Sequence, residues 1–232
     1  MSMLLTSDGV LHGPAHDALL DLLGKPISES RTVVVLDAML PFAGDKGGML
    51  DHVQQYRALG WAECDVLTLS SGPASGIEAR LRAADVVFCY GGTNHWLAHS
   101  WRATGLAPVL RELLDEKVYV GMSAGSMIFS TLHSAAVEAL DDQAEVEMLE
   151  LESVAPALPL FDWFLFAHLG ADYFPETTDE WAQQAARRLG GEAWFLSDGS
   201  ALLLRDAAAD PEIVSEGHWL HFDADGVLVG SA

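Results

Sequence analysis

At 232 residues, half of them hydrophobic, the chain can bury one sizeable core, and the whole span 1–232 is expected to form a single α/β domain. Its 34 Asp and Glu against 12 Lys and Arg give a formal charge of −22, which repels phosphate backbones and anionic lipid, so neither nucleic acid nor a membrane is an expected partner. No basic segment leads an apolar stretch at the start, no apolar run reaches membrane-spanning length, and the expected location is the cytoplasm.

Short apolar runs alternate with helical patterns through the first half. Residues 3–5, 32–36, 65–69, 85–90 and 118–120 read as strands, while 12–23, 49–59, 77–84 and 106–116 space apolar residues three and four apart, as helices do. Strands joined by helices predict a mostly parallel central sheet with helices on both faces and ligands at the carboxyl ends of its strands. Cys64, at the edge of the run 65–69, and Cys89, within 85–90, read as reduced core thiols. Farther on, the acidic segment 137–152 reads as a loop or hairpin, and 158–166 as a buried strand. Residues 177–189 read as a helix capped by Thr177 or Thr178 and stopped at Gly190-Gly191. Two hairpins are expected after it. One joins 194–196 to 201–204 around Asp198-Gly199, and a C-terminal one joins 218–222 to 227–229 around Asp225-Gly226 and closes the sheet.

The pentapeptide Gly121-Met122-Ser123-Ala124-Gly125 stands between the apolar run 118–120 and the helix-compatible 126–130. Gly-x-Ser-x-Gly in that context is a sharp strand-to-helix turn, in which glycines make room and the serine hydroxyl is pushed out at a strand end. Free N–H groups of the helix that follows would face the same point and could hold an oxyanion. Ser123 is the candidate nucleophile, and it needs a base that is itself oriented. His168 ends an apolar run just before Leu169-Gly170 and is the candidate base. Asp198 is the first candidate for the orienting acid, with Glu138, Asp141 and Asp142 as the other choices. The glycines of Tyr90-Gly91-Gly92-Thr93-Asn94 would let a backbone N–H approach substrate, a second oxyanion donor beside that of Ala124. His95 and His99 share a helical face, yet no His-Glu-x-x-His pattern accompanies them, and neither a metal nor another cofactor is expected.

Three separated motifs carry a family resemblance. Tyr90-Gly91-Gly92-Thr93-Asn94 with Trp101-Arg102-Ala103-Thr104-Gly105-Leu106, the serine pentapeptide, and His168 with Leu196-Ser197-Asp198-Gly199-Ser200-Ala201-Leu202 together resemble the peptidase E (aspartyl dipeptidase) family. The resemblance implies a fold like that of class I glutamine amidotransferases and a Ser-His-acid hydrolase of short peptides. In it Ser123 forms an acyl-enzyme, His168 is base then acid, Asp198 steadies the imidazole, and the N–H groups of Gly92 and Ala124 hold the oxyanion. It further implies Asn94 as a substrate contact, calls for an arginine partner for an aspartyl side chain, with Arg102 the first choice and Arg187 and Arg188 also available, and allows a homodimer. Ser126 departs from the alanine usual in the family, and no proline precedes His168.

Two other readings compete. An α/β-hydrolase esterase orders its triad Ser, acid, His, and would use Ser123 with Asp206 or Asp210 and His218 or His221. A non-catalytic binding module could keep the same fold, since fold does not fix chemistry.

Overall fold

The computed structural model describes residues 1–206 and 209–232. Strands β1 (Ser2–Thr6), β2 (Arg31–Val35), β3 (Glu63–Leu67), β4 (Val86–Cys89) and β5 (Val118–Met122) alternate with helices α1 (Gly13–Leu23), α2 (Gly47–Arg57), α3 (Ala74–Ala83), α4 (Asn94–Ala103) and α5 (Ala107–Glu116). The helices serve as crossovers, so these five strands run parallel, in the order β3-β2-β4-β5-β1. Two antiparallel strands, β8 (Ser200–Leu204) and β9 (Glu212–Ser215), extend the sheet beyond β1.

Side chains alternate across the sheet because a strand has a period of two. Leu4, Val34, Phe88 and Val120 pack one way, against Ala15 and Leu19 of α1 and Met49 and Tyr56 of α2. Met3, Leu5, Val33, Val35 and Tyr119 pack the other way, against Ile77 and Leu81 of α3, Leu97 and Trp101 of α4, and Leu110 and Leu113 of α5. All four expected crossover helices are present, and α4 is an additional one, capped by the Thr93 side chain accepting from the Trp96 N–H. Cys89 is buried with its thiol pushed up to about 12 by desolvation, and Cys64 is half-buried and free. Among the described residues no helix is long and apolar enough to cross a membrane.

The second half departs from expectation in several places. No regular helix follows the serine pentapeptide: Ser123–Ser126 is a single 3-10 turn. The carbonyls of Ile128 and Phe129 are taken by the N–H groups of Ala157 and Leu160, so they cannot continue a helix. The acidic segment forms two short helices, α6 (Ala136–Leu140) and α7 (Gln143–Met148). Finally, Asp198-Gly199 does not close a hairpin. The strand before it, β7 (Glu192–Leu196), belongs to a separate sheet in the order β11-β10-β7-β6, with β6 (Trp163–Phe166), β10 (Trp219–Phe222) and β11 (Leu228–Ser231). The turn therefore carries the chain from one sheet to the other. The C-terminal hairpin β10–β11 forms but edges this second sheet, while β9 ends the main one.

Helix α8 (Asp179–Leu189) precedes β7, starting on a Thr178 side-chain cap and ending at Gly190 with φ of 65°. It covers the second sheet through Ala182, Ala185, Ala186 and Leu189, which pack with Phe166, Phe195 and Phe222 in one core.

Candidate active site

The serine turn is built by close approach. A Cβ on Gly121 would lie 2.6 Å from the Gly125 carbonyl, and one on Gly125 would lie 2.1 Å from the Cys89 carbonyl oxygen. Only glycine fits either place, which lets the chain reverse beside β4 at the end of β5. Ser123 takes a left-handed φ of 49°, a conformation that a side chain adopts only under outside constraint. That constraint is on hand: Tyr119 Oη donates to the Gly125 carbonyl at 2.7 Å, Ser126 Oγ to the Thr6 carbonyl at 2.8 Å, and Thr6 Oγ1 to the Gly121 carbonyl at 2.7 Å. The hydroxyl of Ser126, where the family resemblance leads one to expect alanine, thus ties the turn to β1.

Gly91 and Gly92 abut this turn. A Cβ on Gly91 would lie 3.2 Å from Ser123 Cβ, and Gly92, with φ of 128°, passes so near the Ala38 carbonyl that a Cβ would meet its oxygen at 2.3 Å. Among the described residues the Gly92 N–H has no protein acceptor. Ala124 is buried as the second residue of the serine turn.

His168 and Asp198 come together through strand pairing. β6 and β7 are parallel neighbours with Phe166 opposite Phe195, so residues just past their carboxyl ends are adjacent. His168 Nδ1 lies 2.8 Å from Asp198 Oδ1. A carboxylate can only accept, so Nδ1 carries a proton, and in the neutral imidazole Nε2 is the acceptor. His168 also has a left-handed φ, 64°, with its N–H donating to Ser7 Oγ at 2.8 Å and its carbonyl accepting from Thr177 Oγ1 at 2.5 Å. Ser7 Oγ in turn donates to Asp198 Oδ1 at 2.9 Å, and Tyr173 Oη contacts both Asp198 Oδ2 and, at 2.9 Å, His168 Nδ1. Burial opposes the charge of Asp198, yet hydrogen bonds from His168, Tyr173 and Ser7 outweigh it and hold the carboxyl below its ordinary value. Desolvation and the hydrogen bond to Asp198 push the Tyr173 phenol up.

Ser123, His168, Gly92 and Asn94 line one cavity of about 290 Å³, walled also by Met127, Phe174 and Trp181. Ser123 Oγ makes no hydrogen bond to a described residue, that to His168 included.

Of the other acids considered from sequence, Glu138 and Asp141 line a different cavity with Arg188. Asp142 does line the Ser123 cavity, but its Oδ2 faces His95 Nε2 at 3.1 Å instead of His168. Arg102 is placed away from the cavity: its guanidinium donates to the carbonyls of Ala155 and Pro156. The esterase arrangement is not assembled. His218 bonds the Ala232 carbonyl and, at 2.9 Å, Asp179; His221 bonds Glu192 at 2.8 Å and stacks on Trp194; neither they nor the exposed Asp210 reach the Ser123 cavity.

Sequence reasoning missed Ser7, Tyr173 and Thr177. Only Ser7 had a usable signal, since it follows directly on β1 at the sheet's carboxyl edge. His95, Asp142 and Glu145 each bring one potential metal-ligating atom within 4.8 Å of the others, a grouping that the pairing of His95 with His99 did not foreshadow.

Known proteins bear on this site. Residues 3–211 match the model of peptidase family S51. An uncharacterized peptidase of Listeria innocua is 29% identical over 145 residues, 62% of this chain and 65% of its own length. One of Listeria monocytogenes is 27% identical over 144 residues, 62% of this chain and 66% of its own length. The chain therefore spans just under two thirds of these curated relatives. Two solved structures share the fold at 16% identity and a TM-score of 0.69. A Listeria monocytogenes protein described as a peptidase E covers 93% of this chain and 98% of its own; a peptidase from an acI-B1 actinobacterium covers 100% and 93%. With the family model running from the first strand past β8, the chain belongs to peptidase family S51.

Proposed function

We propose that the protein is a serine peptidase that releases the N-terminal residue of short peptides through an acyl-enzyme. The observation that carries this reading is the pairing of His168 Nδ1 with Asp198 Oδ1 at 2.8 Å, on the wall of the cavity that Ser123 also lines. Asp198 fixes the imidazole tautomer and balances the charge that forms when Nε2 takes the serine proton. Ser123 Oγ then attacks the peptide carbonyl, and the oxyanion lies against the N–H groups of Gly92 and Ala124. His168 returns the proton to the leaving amine, and water repeats the cycle on the ester. Hydrogen bonds of this kind are commonly long before substrate arrives, and the Ser123–His168 contact closes in the substrate complex. Among the described residues, Glu138, Asp141 and Asp142 make no contact with His168, which supports Asp198 as the orienting acid.

The test is labelling by a fluorophosphonate together with dipeptide hydrolysis in wild type, Ser123→Ala and His168→Ala. The expected result is label on Ser123 and turnover in wild type alone. Undiminished turnover by either variant would sink the mechanism, and folded protein that neither labels nor turns over would favour a binding module.

A further inference from the structure

One buried carboxyl takes no part in the hydrolysis as proposed. Asp37, two residues past β2 and only 4% exposed, opens the 3-10 turn Asp37–Met39. Burial pushes its carboxyl above the ordinary range, against hydrogen bonds from the Leu69 N–H, its own N–H and the Ser100 hydroxyl. The bond from Leu69 to Asp37 Oδ2 measures 2.9 Å. Leu69 lies two residues past β3, and Ser100 is a buried residue of α4, so one carboxyl ties three segments together at the carboxyl edge of the larger sheet. Burying such a group is costly and is offset where several donors converge on it, which makes it a rigid fixture.

That fixture carries the Ala38 carbonyl. Its oxygen accepts from the Thr93 N–H at 2.9 Å. The Ala38–Met39 peptide also lies so near Gly92 Cα that a Cβ there would meet the Ala38 oxygen at 2.3 Å and the Met39 nitrogen at 2.9 Å. On its other side the glycine loop meets the serine turn, where a Cβ on Gly91 would lie 3.2 Å from Ser123 Cβ. Gly91-Gly92 is thus held between residues 38–39 and Ser123, and on the first side backbone rests on backbone, with no side chain to absorb a shift. Any displacement of the Asp37 turn passes to Gly92, whose N–H has no acceptor among the described residues and which lines the Ser123 cavity. An oxyanion donor must stay within about 0.5 Å of its productive place to be effective.

We propose that Asp37 is a positioning residue for the hydrolysis: by fixing the Ala38 carbonyl it sets where the Gly92 N–H meets the oxyanion. The inference rests on the peptidase reading above and adds to it a residue that does not line the Ser123 cavity.

The test compares wild type with Asp37→Ala, Asp37→Asn and Ser100→Ala, and uses Leu113→Ala as a control. Leu113 is buried in α5, and its carbonyl accepts from the Lys117 N–H just before β5, at the opposite end of the strands. Dipeptide kinetics, the rate of fluorophosphonate labelling and thermal unfolding are measured for each, and amide hydrogen exchange at Gly92 and Thr93 is followed by NMR. In Asp37→Ala kcat is expected to fall by roughly 10- to 100-fold, a part of what losing an oxyanion donor outright costs, with KM within about threefold of wild type. Labelling slows by a similar factor, because phosphonylation develops the same charge, and exchange at Thr93 quickens. Asp37→Asn, whose amide oxygen still accepts from Leu69, recovers most of the loss. Leu113→Ala lowers Tm and keeps the kcat of the folded molecule.

Ser100→Ala removes a single donor and decides the matter if Asp37→Ala does not fold; its kcat should fall by about 3- to 10-fold, with quickened exchange at Thr93. A folded Asp37→Ala with kcat within about threefold of wild type, a loss confined to KM, or an equal loss in Leu113→Ala would overturn the proposal and leave hydrolysis by Ser123 standing. Where Asp37→Ala does not fold, an unchanged Ser100→Ala would do the same. If wild type neither labels nor turns over, the peptidase reading falls, and exchange decides the rest. Quickened exchange at Gly92 and Thr93 in Asp37→Ala would support the hold of Asp37 on this loop, and unchanged exchange would overturn it.

Discussion

The imidazole of His168 and the carboxylate of Asp198 meet at 2.8 Å because the strands that deliver them, β6 and β7, are parallel neighbours in the smaller sheet. Ser123 is delivered by β5 of the larger sheet, and Ser7, just past β1, touches both members of the pair. The cavity therefore lies where the carboxyl ends of two sheets converge.

The Nδ1 proton of His168 is held in place by an acceptor-only group, and an amide at position 198 would remove that constraint. Asp198→Asn keeps the shape but can donate to Nδ1, favouring the tautomer whose Nε2 carries the proton and cannot serve as base. On the proposed mechanism kcat should fall by roughly 10³- to 10⁴-fold, with a smaller change in KM and an unchanged circular dichroism spectrum. Steady-state kinetics on one dipeptide decide it, and a variant within tenfold of wild type would exclude Asp198 from the role.

Ser7 is fully buried, donates to Asp198 Oδ1 and accepts from the His168 N–H at 2.8 Å. In Ser7→Ala that N–H loses its acceptor at a residue already in the left-handed region, a disturbance of about 1–3 kcal/mol. Carried into the transition state, this corresponds to a roughly 10- to 100-fold loss of kcat. Thermal unfolding measured alongside separates misplacement of the imidazole from general loss of structure.

The glycines of the serine turn differ from glycines elsewhere in a way that thermal melts can read. In Gly125→Ala the new methyl would meet the Cys89 carbonyl oxygen at 2.1 Å, backbone against backbone, so β4 and the turn must separate. Overpacking of that kind costs about 1–3 kcal/mol or more and should lower Tm by roughly 3 °C or more. Gly76, inside α3 with open space around it, gives the opposite case. Gly76→Ala should hold or raise Tm, because alanine is the better helix former by ~1 kcal/mol.

The parallel half of the fold was readable because its signals are local. An apolar run such as 118–120 followed by Gly-x-Ser-x-Gly states both a strand and the turn that must follow. The second half depends on pairing across distance. Residues 194–196 and 201–204 flank a turn signal at Asp198-Gly199, and nothing local tells that β7 pairs with β6 and β10 while β8 pairs with β1. His168 and Asp198 could be selected by chemistry, although the sheet change that brings them together could not. Tyr173 and Glu145 lie on polar, acidic stretches that resemble any solvated surface until the chain is folded. Sequence alone could not place Arg102 relative to a pocket, because the backbone carbonyls of Ala155 and Pro156 to which its guanidinium donates are distant in the chain.

His133 offers a pH signature independent of catalysis. Its ring, fully buried between the Met127 carbonyl and His95, has its pKa lowered to about 3, chiefly by desolvation, against an ordinary 6.5 in the unfolded chain. Between those values the unfolded chain binds a proton that the folded chain refuses, so stability rises with pH across the window and is lost as pH falls from 6.5 toward 3. One such proton contributes a slope of about 1.4 kcal/mol per pH unit. In His133→Gln this contribution vanishes, while the carboxylates contribute to both proteins alike. Urea unfolding of the two at pH 7, 6, 5 and 4 should show the variant less stable at pH 7 and losing stability less steeply as the pH falls. Parallel slopes would mean that the folded ring accepts its proton, which is incompatible with a ring held neutral by its burial.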